Sequence, residues 1–225
     1  MKERPIIFSA PMVRAILDGR KTQTRRVIKS PARNMQKQGH EVIKRNPDND
    51  PWYKDYIWSM RVDGGSWADY KHERFLQLCP YGAIGDKLWV RETFGSSIRN
   101  LGGTPHEKLV YKADNPNEAY CYSSEGAEIP IKWKSPIFMP RWASRITLEI
   151  TNLRVERVQD ISCDDANAEG VQAWVESFAN REIYHENGNL KGYPVTAYKR
   201  LWEQINGAGS WDANPWVWII GVKRI

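Results

Sequence analysis

The hydrophobic pattern of the first 28 residues predicts a strand, a short helix and a second strand. Residues 5–8 form an apolar run that is typical of a strand, and Ser9 then stands where a helix N-cap is expected. Apolar positions at helical spacing, with a proline in the first turn, predict a helix over residues 11–18. Gly19 follows as a left-handed residue after the helix, and β-branched residues within 22–28 favour a strand.

The next segment, residues 29–84, is polar and irregular in pattern, with repeated proline, glycine, asparagine and aspartate. It is too long for an ordinary loop between two elements, so we predict that it is an insertion. Its aromatic side chains are expected to give it partial order: Trp52, Tyr53, Tyr56, Trp58 and Trp67.

Regular structure is expected to resume after this insertion, first as strands and then as helices. Leu88 and Val90 alternate with Trp89 and Arg91, as in a strand with two different faces. Strands are predicted over residues 87–94, 109–111, 144–155 and 216–223, and helices over residues 162–178 and 194–206. This order is typical of a single α+β domain over residues 1–225, in which helices flank a mostly antiparallel sheet or a small barrel.

Composition and charge indicate a globular chain with a basic end. The chain has 225 residues, enough to bury a core without disulfides or metals, and its 11 Trp and 10 Tyr suit both cores and base-stacking faces. The net charge is +6, and residues 1–45 alone carry +9, which leaves about −3 for the rest. A basic end favours a partner with phosphates, and a solvated charged surface is the equal alternative.

Cysteine, histidine and hydropathy patterns give expectations about cofactors and location. The three Cys and four His are scattered without metal-ligand spacing, so we expect no metal and no cofactor. Three unpaired thiols fit a reducing cytoplasm. No apolar stretch is long enough to span a bilayer and the first residues lack a signal-peptide core, so a cytoplasmic protein without a membrane partner is expected.

Residues 19–26 concentrate basic and hydroxyl groups next to the end of the first predicted helix. Three roles are compatible with this segment: a phosphate-binding turn, a surface charge run, or a lysine that activates a hydroxyl nucleophile. Residue types alone favour the charge run. Lys21 in that case neutralises the helix C-terminus, and Thr24 is a plain strand residue.

Four residues in this segment resemble a family signature. Gly19, Lys21, Thr24 and Arg26 match the G-x-K-x-x-(E/T)-x-R pattern of the ASCH domain, a branch of the PUA-like superfold. Residues 85–90, Gly-Asp-Lys-Leu-Trp-Val, are similar to a barrel strand of that family. The chain also resembles prophage-encoded ASCH-like proteins over residues 5–26 and 205–216. The resemblance implies a PUA-like β-barrel flanked by helices, with the insertion at about residues 29–84.

With threonine at position 24, the signature resembles that of a subgroup of ASCH proteins, the small bacterial amidohydrolases that remove the acetyl group from N4-acetylcytidine. Those enzymes use a Lys, a Thr and a Glu, and the resemblance implies Lys21, Thr24 and Glu169 as the equivalent residues. Glu169 follows from aligning residues 161–162 with the start of the helix that carries that Glu. Lys21 and Thr24 are three apart, so an ideal strand would place them on opposite faces, and a turn or bulge at residues 22–23 is required.

Further residues are candidates for substrate binding. Arg26 and Arg25 are candidates for a positive charge that would lower the pKa of Lys21, and Glu92 is expected to read a base edge or to pair with Arg26. Trp89 shares a strand with Glu92, and Arg141 and Trp142 would place a cation and a stacking face at a pocket rim.

The leading hypothesis is therefore a hydrolase of N4-acetylcytidine or related N4-acylated cytosines, acting through a Lys-activated Thr with Glu169 as proton shuttle. Two alternatives stay open on the same fold: a non-catalytic module that binds RNA, DNA or a modified base, and a ribonuclease. Glu169 is in those cases an exposed helix residue before Gly170. The substrate size and the oligomeric state are not predicted.

Overall fold

Twelve strands and three helices are defined in the computed structural model, which describes residues 1–28, 43–44, 56–61, 67–71, 76–101, 104–114, 120–123, 125–172 and 193–225. The strands are β1 (Glu3–Ile7), β2 (Gln23–Val27), β3 (Ile43–Lys44), β4 (Tyr56–Arg61), β5 (Trp67–Lys71), β6 (Lys87–Arg91), β7 (Phe94–Leu101), β8 (Thr104–Tyr111), β9 (Tyr120–Tyr122), β10 (Glu128–Pro130), β11 (Thr147–Arg157) and β12 (Trp216–Arg224). The helices are α1 (Ala10–Leu17), α2 (Cys163–Ala168) and α3 (Tyr193–Asn206). The protein is thus of the α+β class, with mostly sheet and few helices, as predicted.

A five-stranded mixed sheet in the order β1-β6-β11-β12-β2 forms the centre of the molecule. β1 runs parallel to β6, and the other neighbours are antiparallel. Within the described residues β1 and β2 form no ladder with each other, so the predicted closed barrel is not found. The Arg26 guanidinium nevertheless donates a hydrogen bond of 2.6 Å to the Ile7 carbonyl oxygen and so links these two edge strands.

The central sheet is covered on both faces, and β12 contributes to both layers. Trp218 and Ile220 face one core cluster together with Leu88, whereas Val217 and Ile219 face a second cluster with α3. Burial on both faces explains why β12 reads as a nearly continuous apolar run rather than an alternating one.

The first predicted elements are present with nearly the expected bounds. Ser9 takes the N-cap position of α1, and Gly19 has a φ of +73°, in the left-handed region. Ile146, just before β11, and Leu148 and Ile150 within it are buried, and a register shift between Ile150 and Asn152 then changes the phase of the strand.

Residues 29–84 contain more regular structure than the polar pattern predicts. β3, β4 and β5 form a separate antiparallel sheet in that order. The side chains of the five aromatic residues predicted to order this segment lie outside the described part of the chain. Cys79, within the predicted insertion, is buried in the first core cluster, so the end of the segment belongs to the central core.

The later helices differ in how closely they follow the pattern. α3 is predicted almost to the residue, and Gly207 follows it with a φ of +96°. α2 ends at Ala168, well before the predicted end at 178, and residues 173–178 lie outside the described residues. Among the described residues, no helix has the length and apolar character needed to cross a bilayer.

Candidate functional site

Lys21 and Glu169 form a buried ion pair at the centre of the candidate site. Lys21 Nζ lies 2.8 Å from Glu169 Oε2 and also donates to the Glu169 backbone oxygen at 2.9 Å. The two side chains are only 0% and 3% exposed. Glu169 is therefore not the exposed helix residue that the alternative interpretation requires, and Lys21 does not belong to a solvated charge run.

Backbone contacts hold the two partners together. Lys21 forms an isolated antiparallel bridge with Glu169, and the Thr22 N–H donates to the Ala168 carbonyl oxygen at 2.9 Å. β2 begins only at Gln23, so residues 21–24 do not form one continuous strand. The β2–β12 ladder has no register shift over residues 23–27, so the turn or bulge expected at residues 22–23 remains a prediction.

Gly170 permits this close approach. Its φ of +83° lies in the left-handed region, where glycine is favoured. A Cβ at this position would lie 2.9 Å from Ala15 Cβ and 3.1 Å from Lys21 Cβ. Any larger residue would therefore push against the backbone segment that carries Lys21.

A second cation and an acidic residue complete the buried charge network. Arg25 NH1 lies 3.4 Å from Glu169 Oε1, and Arg25 NH2 lies 2.8 Å from Asp165 Oδ2. Arg154 NH2 contacts both Asp165 carboxylate oxygens at 2.8 Å. Asp165 is placed by α2, whose Ser162 N-cap accepts a hydrogen bond from the Asp165 N–H. Glu169 is thus bound by a different cation at each oxygen.

The environment lowers the pKa of Lys21 below its usual value. Burial is the largest cause, because desolvation disfavours the charged ammonium. Glu169 opposes this effect, while the positive charges of Arg26 and Arg25 add to it. The sequence-based expectation that neighbouring arginines lower this pKa is met in direction, although burial contributes more.

Thr24 lies on the face of β2 that is directed toward the first core cluster. Thr24 and Arg26 are paired with Ile220 and Trp218, which belong to the first core cluster, and directly opposed residues share a face of the sheet. Lys21 Nζ lies 5.7 Å and Arg26 Cζ 5.1 Å from the centre of the Phe8 ring, which is also in that cluster. The Lys21 amine therefore reaches the same core cluster that Thr24 faces.

Thr24 and Glu169 line one cavity of about 250 Å³, here called the Thr24 cavity. Five of its other wall residues come from α3, and Tyr198 and Trp202 are two of them. Among the described residues, three buried N–H donors without a hydrogen-bond partner belong to its walls: Arg25 Nε, Arg26 Nε and Trp202 Nε1. Unpartnered buried donors are costly, and they indicate a cavity suited to a ligand with oxygen acceptors.

Sequence reasoning did not select Tyr198 and Trp202 as site residues. Both fall on the apolar stripe of the α3 helix, and nothing in that spacing separates a core side chain from a cavity wall. Burial raises the pKa of Tyr198 well above its usual value, with Glu169 contributing, so its phenol stays protonated and able to donate. Arg25 was considered only as a source of charge, yet it binds Glu169 directly.

Glu92 is buried but belongs to a different ion pair. Arg145 binds it with two contacts, Nε to Oε1 at 2.9 Å and NH2 to Oε2 at 3.0 Å. The predicted alternative, a pair with Arg26, is therefore wrong, because Arg145 occupies both carboxylate oxygens. Burial raises the pKa of Glu92 while Arg145 opposes that shift, and Glu92 does not line the Thr24 cavity.

The remaining candidates, Trp89, Arg141 and Trp142, form a group elsewhere on the surface. Arg141 makes two contacts with the Glu3 carboxylate, at 3.0 and 2.7 Å, and its Cζ lies 5.8 Å from the Trp89 ring centre. Trp142 is 78% exposed. None of the three lines the Thr24 cavity, so the structure does not bring them together with Lys21, Thr24 and Glu169.

Comparisons with known proteins and a search for metal sites return no match. No family model matches the chain, and no curated protein and no solved structure is significantly similar to it. Within the part of the chain that the structure describes, no three His, Cys, Asp or Glu side chains are grouped so that they could hold a metal ion. The functional interpretation therefore depends on the geometry of this chain.

Proposed function

We propose that this protein is a hydrolase that removes the acyl group from N4-acetylcytidine or a related N4-acylated cytosine, and that its sheet is a PUA-like fold of the ASCH type. The observation that carries the proposal is the buried contact of 2.8 Å between Lys21 Nζ and Glu169 Oε2, with Glu169 lining the same cavity as Thr24. Glu169 thus connects the amine of Lys21 with the cavity that Thr24 lines, although Lys21 itself does not line that cavity. The amine, the carboxylate and the Thr24 hydroxyl are the three groups that the mechanism requires.

The amine of Lys21 is arranged to act as the base. A neutral lysine amine has two N–H groups and one lone pair, and Glu169 can accept both N–H groups through its carboxylate and its backbone oxygen. The lone pair is then left to take the Thr24 proton. Desolvation of Lys21 favours this neutral form, and the deprotonated Thr24 oxygen attacks the acyl carbon.

The developing oxyanion has several donors within the walls of the cavity. The Thr22 carbonyl oxygen and the Ile28 N–H both form hydrogen bonds with β12. Hydrogen-bonded and non-bonded residues alternate along antiparallel strands, so the odd-numbered residues of β2 direct their N–H groups away from β12. The Arg25 N–H therefore faces the free edge of β2. Together with the Tyr198 hydroxyl and Trp202 Nε1, it can stabilise a negative oxygen.

The proton and the acyl group are both transferred to products by the end of the catalytic cycle. When the C–N4 bond breaks, the protonated Lys21 returns its proton to the amine of cytosine through Glu169, and the acyl group stays on Thr24 as an ester. Water then attacks the ester carbon, Lys21 takes a proton from that water, and Thr24 recovers its hydrogen. The products are the cytosine compound and a carboxylate.

The direct test is incubation of the purified protein with N4-acetylcytidine and other N4-acyl cytosines, followed by chromatographic detection of the deacylated product. We expect turnover that Thr24→Ala, Lys21→Met and Glu169→Gln each reduce by at least about 10²-fold, the lower range for loss of an acid–base group. Thr22→Ala is the matched control, since Thr22 is an exposed threonine two positions away. Absence of turnover with every substrate would refute the activity, and turnover that survives Thr24→Ala would refute the mechanism.

A second candidate function, binding of single-stranded nucleic acid, is favoured by a separate surface. Phe138 and Trp142 are 74% and 78% exposed, and the exposed Lys132 and Lys134 precede them in the chain. Exposed aromatic rings that stack on bases, next to cations that contact phosphates, are typical of such surfaces. The basic character of the whole chain, +6, is in the same direction.

Fluorescence anisotropy with labelled single-stranded RNA and DNA at two salt concentrations tests this candidate. We expect binding that weakens at higher salt and that Phe138→Ala with Trp142→Ala weakens about tenfold or more, given the usual contribution of base stacking. Ile84→Ala, at another exposed apolar position, serves as control. Salt-independent binding, or binding unchanged in the double variant, would count against this surface. RNA cleavage that Lys21→Ala abolishes would support the ribonuclease alternative.

A further inference from the structure

A second cavity adjoins the Thr24 cavity and shares Glu169 with it. Its volume is about 400 Å³, compared with about 250 Å³ for the Thr24 cavity. Both cavities are lined by Met12, Glu169, Leu201 and Ile205, so these four side chains form a common wall. Thr24 lines the smaller cavity but not the larger one. The two cavities are therefore neighbours on either side of Glu169.

The two cavities differ in volume, and this difference indicates which part of an N4-acylated substrate each of them would hold. Sites that hold a complete small molecule usually have volumes of about 300–1,000 Å³. The larger cavity lies in this range and the Thr24 cavity lies below it. The acyl group belongs next to the nucleophile Thr24, and the larger cavity then receives the departing cytosine compound.

Two arginines are the cationic residues of the larger cavity, whose wall is otherwise mostly apolar. Arg14 and Arg20 line it, and among the described lining residues Glu169 is the only acidic one. Arg14 NH1 donates to the Ala113 carbonyl oxygen at 3.0 Å, and Arg20 NH2 binds Asp18 at 2.6 Å. A guanidinium has five N–H donors, so one such contact leaves others for a ligand. Asp18 does not line the cavity.

We propose that the larger cavity binds the sugar-phosphate part of the substrate, with Arg14 and Arg20 contacting the phosphate, so that the substrate is an N4-acylated cytidine nucleotide and not the free nucleoside. This inference rests on the proposed function. Planar guanidinium groups pair with phosphate through two parallel hydrogen bonds, which gives both affinity and orientation. The phosphate belongs to a mononucleotide or to a nucleic-acid strand, and the experiment distinguishes these sources.

The test compares kcat/KM for three substrates: N4-acetylcytidine, its 5′-monophosphate, and a short single-stranded RNA with one N4-acetylcytidine. We expect the phosphate to raise kcat/KM by about 10- to 100-fold, the usual effect of one strong charged hydrogen bond. Arg14→Gln and Arg20→Gln should remove this gain, so that within each variant the monophosphate and the nucleoside are hydrolysed with the same kcat/KM. Lys223→Gln, an exposed basic position that does not line the cavity, is the control. Preference for the monophosphate over the RNA indicates a free nucleotide, and the reverse indicates a strand.

A binding measurement separates failure of this inference from failure of the proposed function. Calorimetry with cytidine and cytidine 5′-monophosphate, the deacylated products, needs no turnover. Tighter binding of the monophosphate that is lost in Arg20→Gln supports the phosphate site even if no substrate is hydrolysed. Hydrolysis of the nucleoside, with no effect of phosphate on either kcat/KM or binding, would overturn the phosphate site and leave the hydrolase proposal intact.

Discussion

At the scale of single residues, Glu169 is where the buried charges of the site converge. Its two oxygens are bound by different cations, Lys21 at 2.8 Å and Arg25 at 3.4 Å, and all three side chains are almost fully buried. Taking such charges out of water is unfavourable, and only their mutual contacts compensate for it. The arrangement is therefore sensitive to the loss of any one partner.

The first prediction concerns the stability of this pair. Lys21→Met or Glu169→Gln alone should lower the free energy of unfolding by about 3–5 kcal/mol, because each removes a direct contact that compensates for the burial of a charge. The double variant should lose less than the sum of the two single changes. Urea denaturation measures all three, and Lys199→Met, which removes the exposed Lys199–Asp212 pair, should cost less than about 1 kcal/mol. Additive single effects would mean that the two residues do not interact.

The second prediction concerns pH. Burial, aided by Arg26 and Arg25, lowers the pKa of Lys21, and the proposed base is the neutral amine. Activity should therefore rise with pH through this lowered pKa, and it should reach its plateau at a lower pH than it would with an ordinary lysine as the base. Because the unfolded chain binds more protons than the folded one between the two pKa values, stability should also rise with pH across that window.

A kcat/KM profile against pH, measured with N4-acetylcytidine, checks the kinetic part. Lys21→Arg should remove the rising limb, since arginine stays protonated and cannot act as the base. A rising limb that persists in Lys21→Arg would assign the base to another residue.

Some of these residues could be predicted from the sequence and others could not. Lys21, Thr24 and Glu169 were selected through a resemblance, and their spacing alone would have favoured a solvated charge run. Arg25 and Asp165 could not be predicted as site residues, because their contact joins β2 to α2 and no local sequence pattern encodes such a contact. Arg145 likewise reaches Glu92 from a distant position, so the partner of Glu92 could not be inferred.

At the scale of elements, the short helix α2 and the turn after it determine where Glu169 lies. Ser162 caps this helix, and Gly170 reverses the chain directly after Glu169. The helical pattern predicted a longer helix because Val171 continues the apolar spacing. The left-handed glycine ends the regular helix first, and this turn allows Glu169 to bridge to Lys21.

The third prediction compares two glycines. Gly170→Ala and Gly207→Ala both place alanine at a positive φ, +83° and +96°, but only a Cβ at 170 approaches the backbone neighbourhood of Lys21. We expect a cost of about 1–2 kcal/mol at 207 from the conformation alone, and a larger cost at 170. Only Gly170→Ala should also reduce turnover. Urea denaturation and kcat/KM measure the two effects, and equal behaviour of both variants would show that the contact with Lys21 is unimportant.

At the scale of the whole molecule, one strand serves both layers of the core. Ile219 and Ile220 are adjacent in β12, fully buried, and face different clusters. Strand alternation predicted opposite faces for neighbours, but not that both faces would be covered. The predicted barrel also depended on closure between β1 and β2, which pattern cannot reveal, and in the structure a side chain rather than a ladder links these edges.

The fourth prediction follows from this shared strand. Ile219→Ala and Ile220→Ala should each lower the free energy of unfolding by about 2–5 kcal/mol, the usual range for such a truncation in a core. Because one strand joins the layers, unfolding should remain a single transition in both variants. Coincident curves from tryptophan fluorescence and circular dichroism would support this, whereas separate transitions would show that the layers unfold independently.

The pairing of β2 with β12 has a consequence for the timing of biosynthesis. The strand that carries Thr24 docks on residues 217–221, and Lys21 meets Glu169 across 148 positions of sequence. Such long-range contacts form late, because the chain between them must be ordered first. A nascent chain on the ribosome therefore cannot assemble the site until residues 216–224 have emerged, and under the proposed function no N4-acyl cytosine is hydrolysed before that point.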